Sequence, residues 1–268
     1  MINFNKREFY SIDDLLNIMH ILRSKDGCPW DREQNHASIK KDFVEEVYEA
    51  IEAIDLKDRA LLREELGDVL LQIVFHCQIE TEVNGFSFDD VCDEICKKLI
   101  IRHPHVFGDV DVSSTDEVLR NWDSIKKETK GQETYADTLK SVAKSLPALM
   151  RAEKVGKRAM RAGMDFKGYE DTISCIKAEL SELEDAIKSG KVDCIEDELG
   201  DLLFSCVNTA RHLNIDAEEA LTKSTDKFIK RFDETEKNIR LKGIDMKSLS
   251  IDEIDVYWRE AKKKLIQK

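Results

Sequence analysis

The stretch REELGDVLLQIVFHCQ, residues 63–78, returns as EDELGDLLFSCVNTAR at residues 196–211. An acidic segment precedes each copy: EEVYEAIEAI at 45–54 and AELSELEDAI at 178–187. Glu46, Glu49, Glu65 and Asp68 form one set of acids, Glu179, Glu182, Glu198 and Asp201 the other, and a single offset of 133 residues maps the first onto the second. Each half closes with a tryptophan segment, NWDSIKKE around Trp122 and VYWREAKKK around Trp258. A repeat on this scale is read as a duplicated structural unit. The boundary is expected within TKGQETYAD (129–137), giving domains 1–130 and 131–268. The polar stretch GDVDVSSTD (108–116) reads as a loop inside the first half.

The repeated segments have helical periodicity. Val44, Val47, Tyr48, Ile51 and Ile54 follow i, i+3, i+4, i+7 spacing, as do Leu62, Leu66, Val69, Leu70, Ile73 and Cys77. Ile173, Ile176, Leu180, Leu183 and Ile187 repeat the pattern in the second half. The 268 residues include only 11 Gly and 3 Pro, and 36% are charged. Helices accept Glu, Lys, Leu and Ala readily and reject Gly and Pro. The expected class is all-α.

An ExxE or ExxD pair places two carboxylates on neighbouring turns of one helix. Glu46 and Glu49 lie roughly 100° and 160° to one side of their apolar stripe, at about 100° per residue. Glu65 with Asp68, and Glu179 with Glu182, fall at the same angles. Helices packed side by side bring such flanking acids together, where they repel unless cations neutralise them. Oxygen-only ligands favour Mg²⁺, Mn²⁺ or Ca²⁺ over Zn²⁺. A single four-acid pattern is equally a solvated helix face; two copies at identical spacing favour a site. A di-iron bundle would need Glu-x-x-His pairs, and the third residue after Glu65 and Glu198 is Asp.

The net charge of −13 argues against a nucleic-acid polymer as main partner. It leaves a phosphate substrate open, provided a divalent cation lies between. Seven cysteines without a CxxC pair read as reduced thiols, and MINFNKREFY lacks the basic-then-apolar pattern of a leader. No run of about 18 apolar residues offers a membrane span. A cytoplasmic protein is expected.

ExxE followed by ExxD on a second helix resembles the all-α NTP pyrophosphohydrolase superfamily, which includes MazG, the helical dimeric dUTPases and phosphoribosyl-ATP pyrophosphatase. The segments GCPWDREQ (27–34), EEVYEAIEAI, REELGDVLLQIVFH (63–76), RHPHVFGD (102–109), SLPALMRAEKVGKR (145–158), DELGDLLFS (197–205) and KFIKRF (227–232) are similar, in the same order, to the long two-domain MazG proteins. The resemblance implies two tandem MazG-like helical bundles, a homodimer, and Mg²⁺-dependent attack of water on the α-phosphorus of NTPs and dNTPs, as in nucleotide-pool housecleaning. It also implies that the C-terminal half is the main catalytic one, with Glu179, Glu182, Glu198 and Asp201 as metal ligands. Lys227 and Arg231 would then hold phosphates, and Trp258 would lie near the nucleotide. Glu46, Glu49, Glu65 and Asp68 are a second possible metal site.

One departure concerns the catalytic half. Many relatives have EExxE at the first motif, which survives here as Glu45, Glu46 and Glu49; the second half has Ala178 instead. If the additional Glu serves as a base, the C-terminal site lacks it. The first half also keeps Lys98, Arg102 and Trp122, so two active sites stay open. A narrower dUTPase- or dCTPase-like activity, or a helical regulator with a relict metal site, are the competing readings. Trp30 is read either as a base-pocket cap or as packing. His103 and His105 are read as a turn around Pro104 rather than ligands. Lys154, Lys157 and Arg158 either reach phosphates or solvate a helix.

Overall fold

The computed structural model describes residues 4, 6–115, 117–118, 121–122, 125, 131 and 133–266. No strand occurs among them, as the composition demands. The chain divides into two compact units, Met1–Lys126 and Lys127–Lys268. The boundary expected at 130 adjoins 126–130, outside the described residues.

In the first unit, α1 (Ile12–Arg23) opens on a capping box in which Ser11 and Asp14 satisfy each other's backbone N–H. A short α2 (Pro29–Glu33) uses Pro29 at its first position. Next come α3 (Lys40–Leu56) and α4 (Arg59–Glu82), joined by a tight turn. Lys57 ends α3 in the left-handed region, φ 57°, and Asp58 caps α4 by accepting the N–H groups of Ala60 and Leu61. The chain continues through α5 (Phe88–Arg102) and α6 (Pro104–Phe107). His103 and Pro104 do form the helix-ending turn. The core consists of Met19, Ile39, Val74, Phe75 and Ile79, with Leu15, Leu16, Leu70, Leu71 and Phe88 packed against it. Each such side chain contributes about 1.5–3 kcal/mol on burial.

The second unit holds α7 (Tyr135–Lys140), α8 (Ala148–Arg161), α9 (Tyr169–Ser189), α10 (Val192–His212), α11 (Ala217–Leu241) and α12 (Ile251–Ile266). Here Gly190, φ 71°, ends α9 at the position of Lys57. α8 passes close to α10 at Gly156, where a Cβ would come within 2.9 Å of the Asn208 amide oxygen.

A buried arginine ties down the loop that precedes each hairpin. Arg23 binds Glu82 through two hydrogen bonds of 2.8 Å and donates to the Gln34 carbonyl and to that of Asp31. Arg211 plays this part in the second unit, gripping Asp165, which also meets His212 at 3.1 Å. The Arg211 bonds hold the Asp165 carboxyl down at about 2.

The apolar stripe of α3 is not in the chain's own core. Val44, Val47, Tyr48, Ile51 and Ile54 are all exposed, as are Leu180 and Ile187 on α9 and Leu199, Leu203 and Phe204 on α10. α3 meets α4 instead through its small residues, Ala50 and Ala53, which are buried, and through its acids. The face that periodicity marks as core is thus exposed on each hairpin.

Candidate metal and nucleotide site

The two hairpins carry the acids. Small residues in the interface, Ala53 in one hairpin and Ala186 in the other, let the helices approach until carboxylates from both share one place. Ligand oxygens of Glu179, Glu182 and Glu198 lie within 4.8 Å of one another, and so do those of Glu46, Glu49 and Glu65. Asp201 and Asp68 stand outside these triplets. Their negative charge still reaches in: Asp201 helps raise Glu179 and Glu198, and Asp68 helps raise Glu46 and Glu65.

Electrostatics define what each triplet lacks. Loss of solvent, then the neighbouring carboxylates, pushes the acids of Glu179 and Glu198 above their ordinary value. Glu46 and Glu65 are raised for the same reasons, with the Glu49 carboxylate acting on both. Glu45 adds further charge beside Glu46; the second unit has Ala178 there. Among the described residues no lysine or arginine pairs with any member of either triplet. Clustered oxygens with raised pKa values and no protein cation fit a hard divalent ion.

The units differ in their basic and aromatic residues. Lys227 and Arg231 lie one turn apart on α11 and form no ion pair among the described residues. Lys98, by contrast, is paired with Glu94 at 3.3 Å, and the Arg102 guanidinium lies 5.8 Å from the Trp122 ring centre. Trp122 is further engaged by His103, edge-on at 5.0 Å. Trp258 packs on Phe228, 5.0 Å between ring centres, and Phe228 in turn stacks on Phe232. Phe228 escaped the sequence reading, although it directly follows Lys227. Trp30 is more than half exposed. Lys157 is engaged by Glu153, and Arg158 donates to the Ser141 hydroxyl at 2.7 Å and to the Thr138 carbonyl.

A second group that sequence reading passed over lies on α4. The rings of His36 and His76 are nearly parallel, with their Nδ1 atoms 2.7 Å apart, and His36 Nε2 meets Glu80 at 2.7 Å. Gln72, on the same helix, is buried, and its amide oxygen has no partner among the described residues. Neither has a sequence signature, because the His36 loop and α4 meet only on folding.

The MazG nucleotide pyrophosphohydrolase domain matches twice, over residues 34–107 and 167–235, each span enclosing one hairpin. This chain belongs to the MazG family. It is 43% identical to the nucleoside triphosphate pyrophosphohydrolase/pyrophosphatase MazG of Thermotoga maritima, over 93% of this chain and 95% of the relative. It is 41% identical to the nucleoside triphosphate pyrophosphohydrolase of Escherichia coli strain K12, over 95% and 98%. The Mycobacterium tuberculosis nucleoside triphosphate pyrophosphohydrolase is 33% identical over 68% of this chain and 55% of the relative. As a MazG member the chain is a hydrolase, a nucleotide pyrophosphohydrolase. No helix among the described residues is long and apolar enough to cross a membrane.

Proposed function

We propose that the chain hydrolyses nucleoside triphosphates, ribo and deoxy, to the monophosphate and pyrophosphate, with Mg²⁺ as the working cation and the second unit as the main catalytic one. The observation that carries the assignment is the presence, in that unit, of an uncompensated carboxylate triplet and of two basic residues, Lys227 and Arg231, without an acidic partner among the described residues. Similarity to relatives named as nucleoside triphosphate pyrophosphohydrolases supports the substrate class. On this reading the domains meet near 130, and the activity serves nucleotide-pool housecleaning.

Glu179, Glu182, Glu198 and Asp201 would hold the cation, and their oxygen-only set suits Mg²⁺ or Mn²⁺. When bound, the cation supplies charge neutralisation and an acidified water. The protein's own part is positioning. Lys227 and Arg231, sharing one face of α11, hold the β- and γ-phosphates, so that the α-phosphorus lies over the carboxylates. Water adds to that phosphorus, the bridging bond to the β-phosphate breaks, and pyrophosphate leaves with the bridging oxygen. Trp258, braced by Phe228, offers an aromatic face to the base. Stacking of this kind tolerates any base and suits a broad substrate range.

The exposed apolar stripes of α3–α4 and α9–α10 support a homodimer in which a second copy covers them. Contiguous exposed apolar faces of this kind mark association surfaces.

Product analysis tests the activity: eight common NTPs and dNTPs, each with Mg²⁺, should give monophosphate and pyrophosphate. Diphosphate and orthophosphate as products would overturn the α-phosphorus assignment. Turnover of a single pyrimidine dNTP would move the reading to a narrower pyrophosphatase.

A further inference from the structure

His36 and His76 meet head-on. Their ring planes differ by 11°, and the 5.0 Å between ring centres matches the 2.7 Å Nδ1–Nδ1 contact plus one ring radius at either end. The two rings therefore share a plane, and each Nδ1 points along it at the other. Nitrogens that chelate a metal aim at a common third point; nitrogens aimed at each other fit one proton between them. Glu80 decides which ring supplies it. An ionised carboxylate only accepts, so His36, whose Nε2 lies 2.7 Å from Glu80, donates there. Neutral His36 then has a bare Nδ1, and the proton in the contact belongs to His76. His76 is thereby held in the Nδ1–H tautomer. At the offset of 133 residues the three become Tyr169, Thr209 and Leu213, so the second unit has no counterpart.

We propose that Glu80, His36 and His76 form a proton-operated latch on the turn before α3, closed at neutral pH and opened when a second added proton enters the histidine pair. The first added proton leaves the contact intact, because the shared proton passes to His36 and the Glu80 carboxylate balances the charge. The second makes both Nδ1 atoms N–H donors and sets two like charges against each other. Burial, then the charge of His36, lowers His76, so this proton enters below the ordinary histidine value of about 6.5. Among the described residues, Glu80 is the charged group that meets the pair. α3 contributes Phe43, packed on His76 with ring centres 5.6 Å apart, while its Lys40, Lys41 and Asp42 form no ion pair with Glu80 or His36. His20, Arg23 and Glu82 meet on the opposite side of α4. Glu80 keeps its hold on a charged His36, but that pair is open to solvent and worth little. Arg23 fixes the Gln34 carbonyl and Ile39 is buried in the core, so opening is confined to residues 35–38 and, through Phe43, to the first turn of α3. The unfolded chain binds both protons readily. The latch's contribution to stability is therefore complete above about pH 6.5 and lost as pH falls through the folded value.

Long-range proton–nitrogen NMR of the full chain, which has six histidines, reads tautomer and titration together. At about pH 9, where both rings are neutral, His76 should be the Nδ1–H tautomer, and on acidification the pair should titrate in two separate steps. Glu80→Gln, whose amide both accepts and donates, should release His76 from that tautomer. Hydrogen exchange reads the opening. Backbone protection over residues 35–39, corrected for the intrinsic effect of pH, should fall about tenfold between roughly pH 7.5 and pH 5, the worth of one hydrogen bond. His76→Phe keeps a ring against Phe43 and should remove this pH dependence. His36→Ala, at an exposed position, should do the same if His76→Phe fails to fold. An Nε2–H tautomer of His76 at about pH 9, independent titration of the two rings near 6.5, or an exchange profile that survives both substitutions would overturn the inference.

Discussion

Lys57 and Gly190 occupy the same place in the two hairpins, each ending the first acid-bearing helix in left-handed backbone, at φ 57° and 71°. Glycine adopts this conformation freely, whereas a residue with a Cβ does so at a cost of about 1 kcal/mol or more. Lys57→Gly should therefore stabilise the first unit by roughly 0.5–1 kcal/mol. The reciprocal Gly190→Lys should destabilise the second by a similar amount. Chemical denaturation of both variants measures the pair.

Replacing one acid in each triplet separates the two units. Glu198→Gln keeps the shape of the side chain and removes one negative charge, so turnover should fall by orders of magnitude; Glu65→Gln should lower it far less. A steady-state comparison of the two folded variants checks this. Loss of activity in Glu65→Gln alone would put catalysis in the first unit, with Ala178 as the reason.

Both substitutions should raise the melting temperature of the metal-free protein, because like-charge repulsion is relieved. Wild type should gain more from Mg²⁺ than Glu198→Gln does. The pH dependence has a definite sign. Glu46, Glu65, Glu179 and Glu198 are all raised on folding. Their protonation favours the fold fully below the unfolded carboxyl value, and that contribution is lost as pH rises through the folded values. Metal-free protein should gain stability from these groups as pH falls from neutral towards the carboxylate range. Saturating Mg²⁺ should flatten the profile in a series of thermal melts.

Asp165 titrates in the opposite sense. Its carboxyl is held down at about 2 by Arg211 and then by His212, so its contribution is complete above the unfolded value near 4 and disappears as pH falls through about 2. Asp165→Asn should cost about 2 kcal/mol at neutral pH. It should also free the loop before α9, which limited proteolysis there would report.

Arg231→Ala should raise KM for a nucleoside triphosphate at least tenfold, roughly the worth of a charge-assisted phosphate contact, with an unchanged circular dichroism spectrum. Wild-type affinity and turnover in that variant would remove Arg231 from the phosphate site.

The helices and both carboxylate groups were legible before any coordinate, because a 3.6-residue period and an i, i+3 pair are local properties of the chain. Partnership between faces was less so. Periodicity marks Val44, Val47 and Ile51 as core, yet α3 packs on α4 through Ala50, Ala53 and its acids. Alanine carries too little apolar weight to stand out beside a valine stripe, though its smallness decides which face comes closest. Gln72 and the His36–His76 pair were invisible for another reason. Their significance depends on a missing hydrogen bond and on a contact across 40 residues, which no spacing encodes. The dipeptide Lys227-Phe228 was read only for its charge.

Ala53 and Ala186, fully or nearly buried between the paired helices, act as gauge blocks. They touch no ligand, yet they set the bore into which the carboxylates project. A β-branched side chain at either position would pry its hairpin apart and enlarge that bore, favouring Ca²⁺, which accepts longer and more numerous oxygen contacts, over Mg²⁺, which demands a tight octahedron. On the proposed reading of the triplets as cation sites, choice of ion would be written in the residues with the least chemistry of their own.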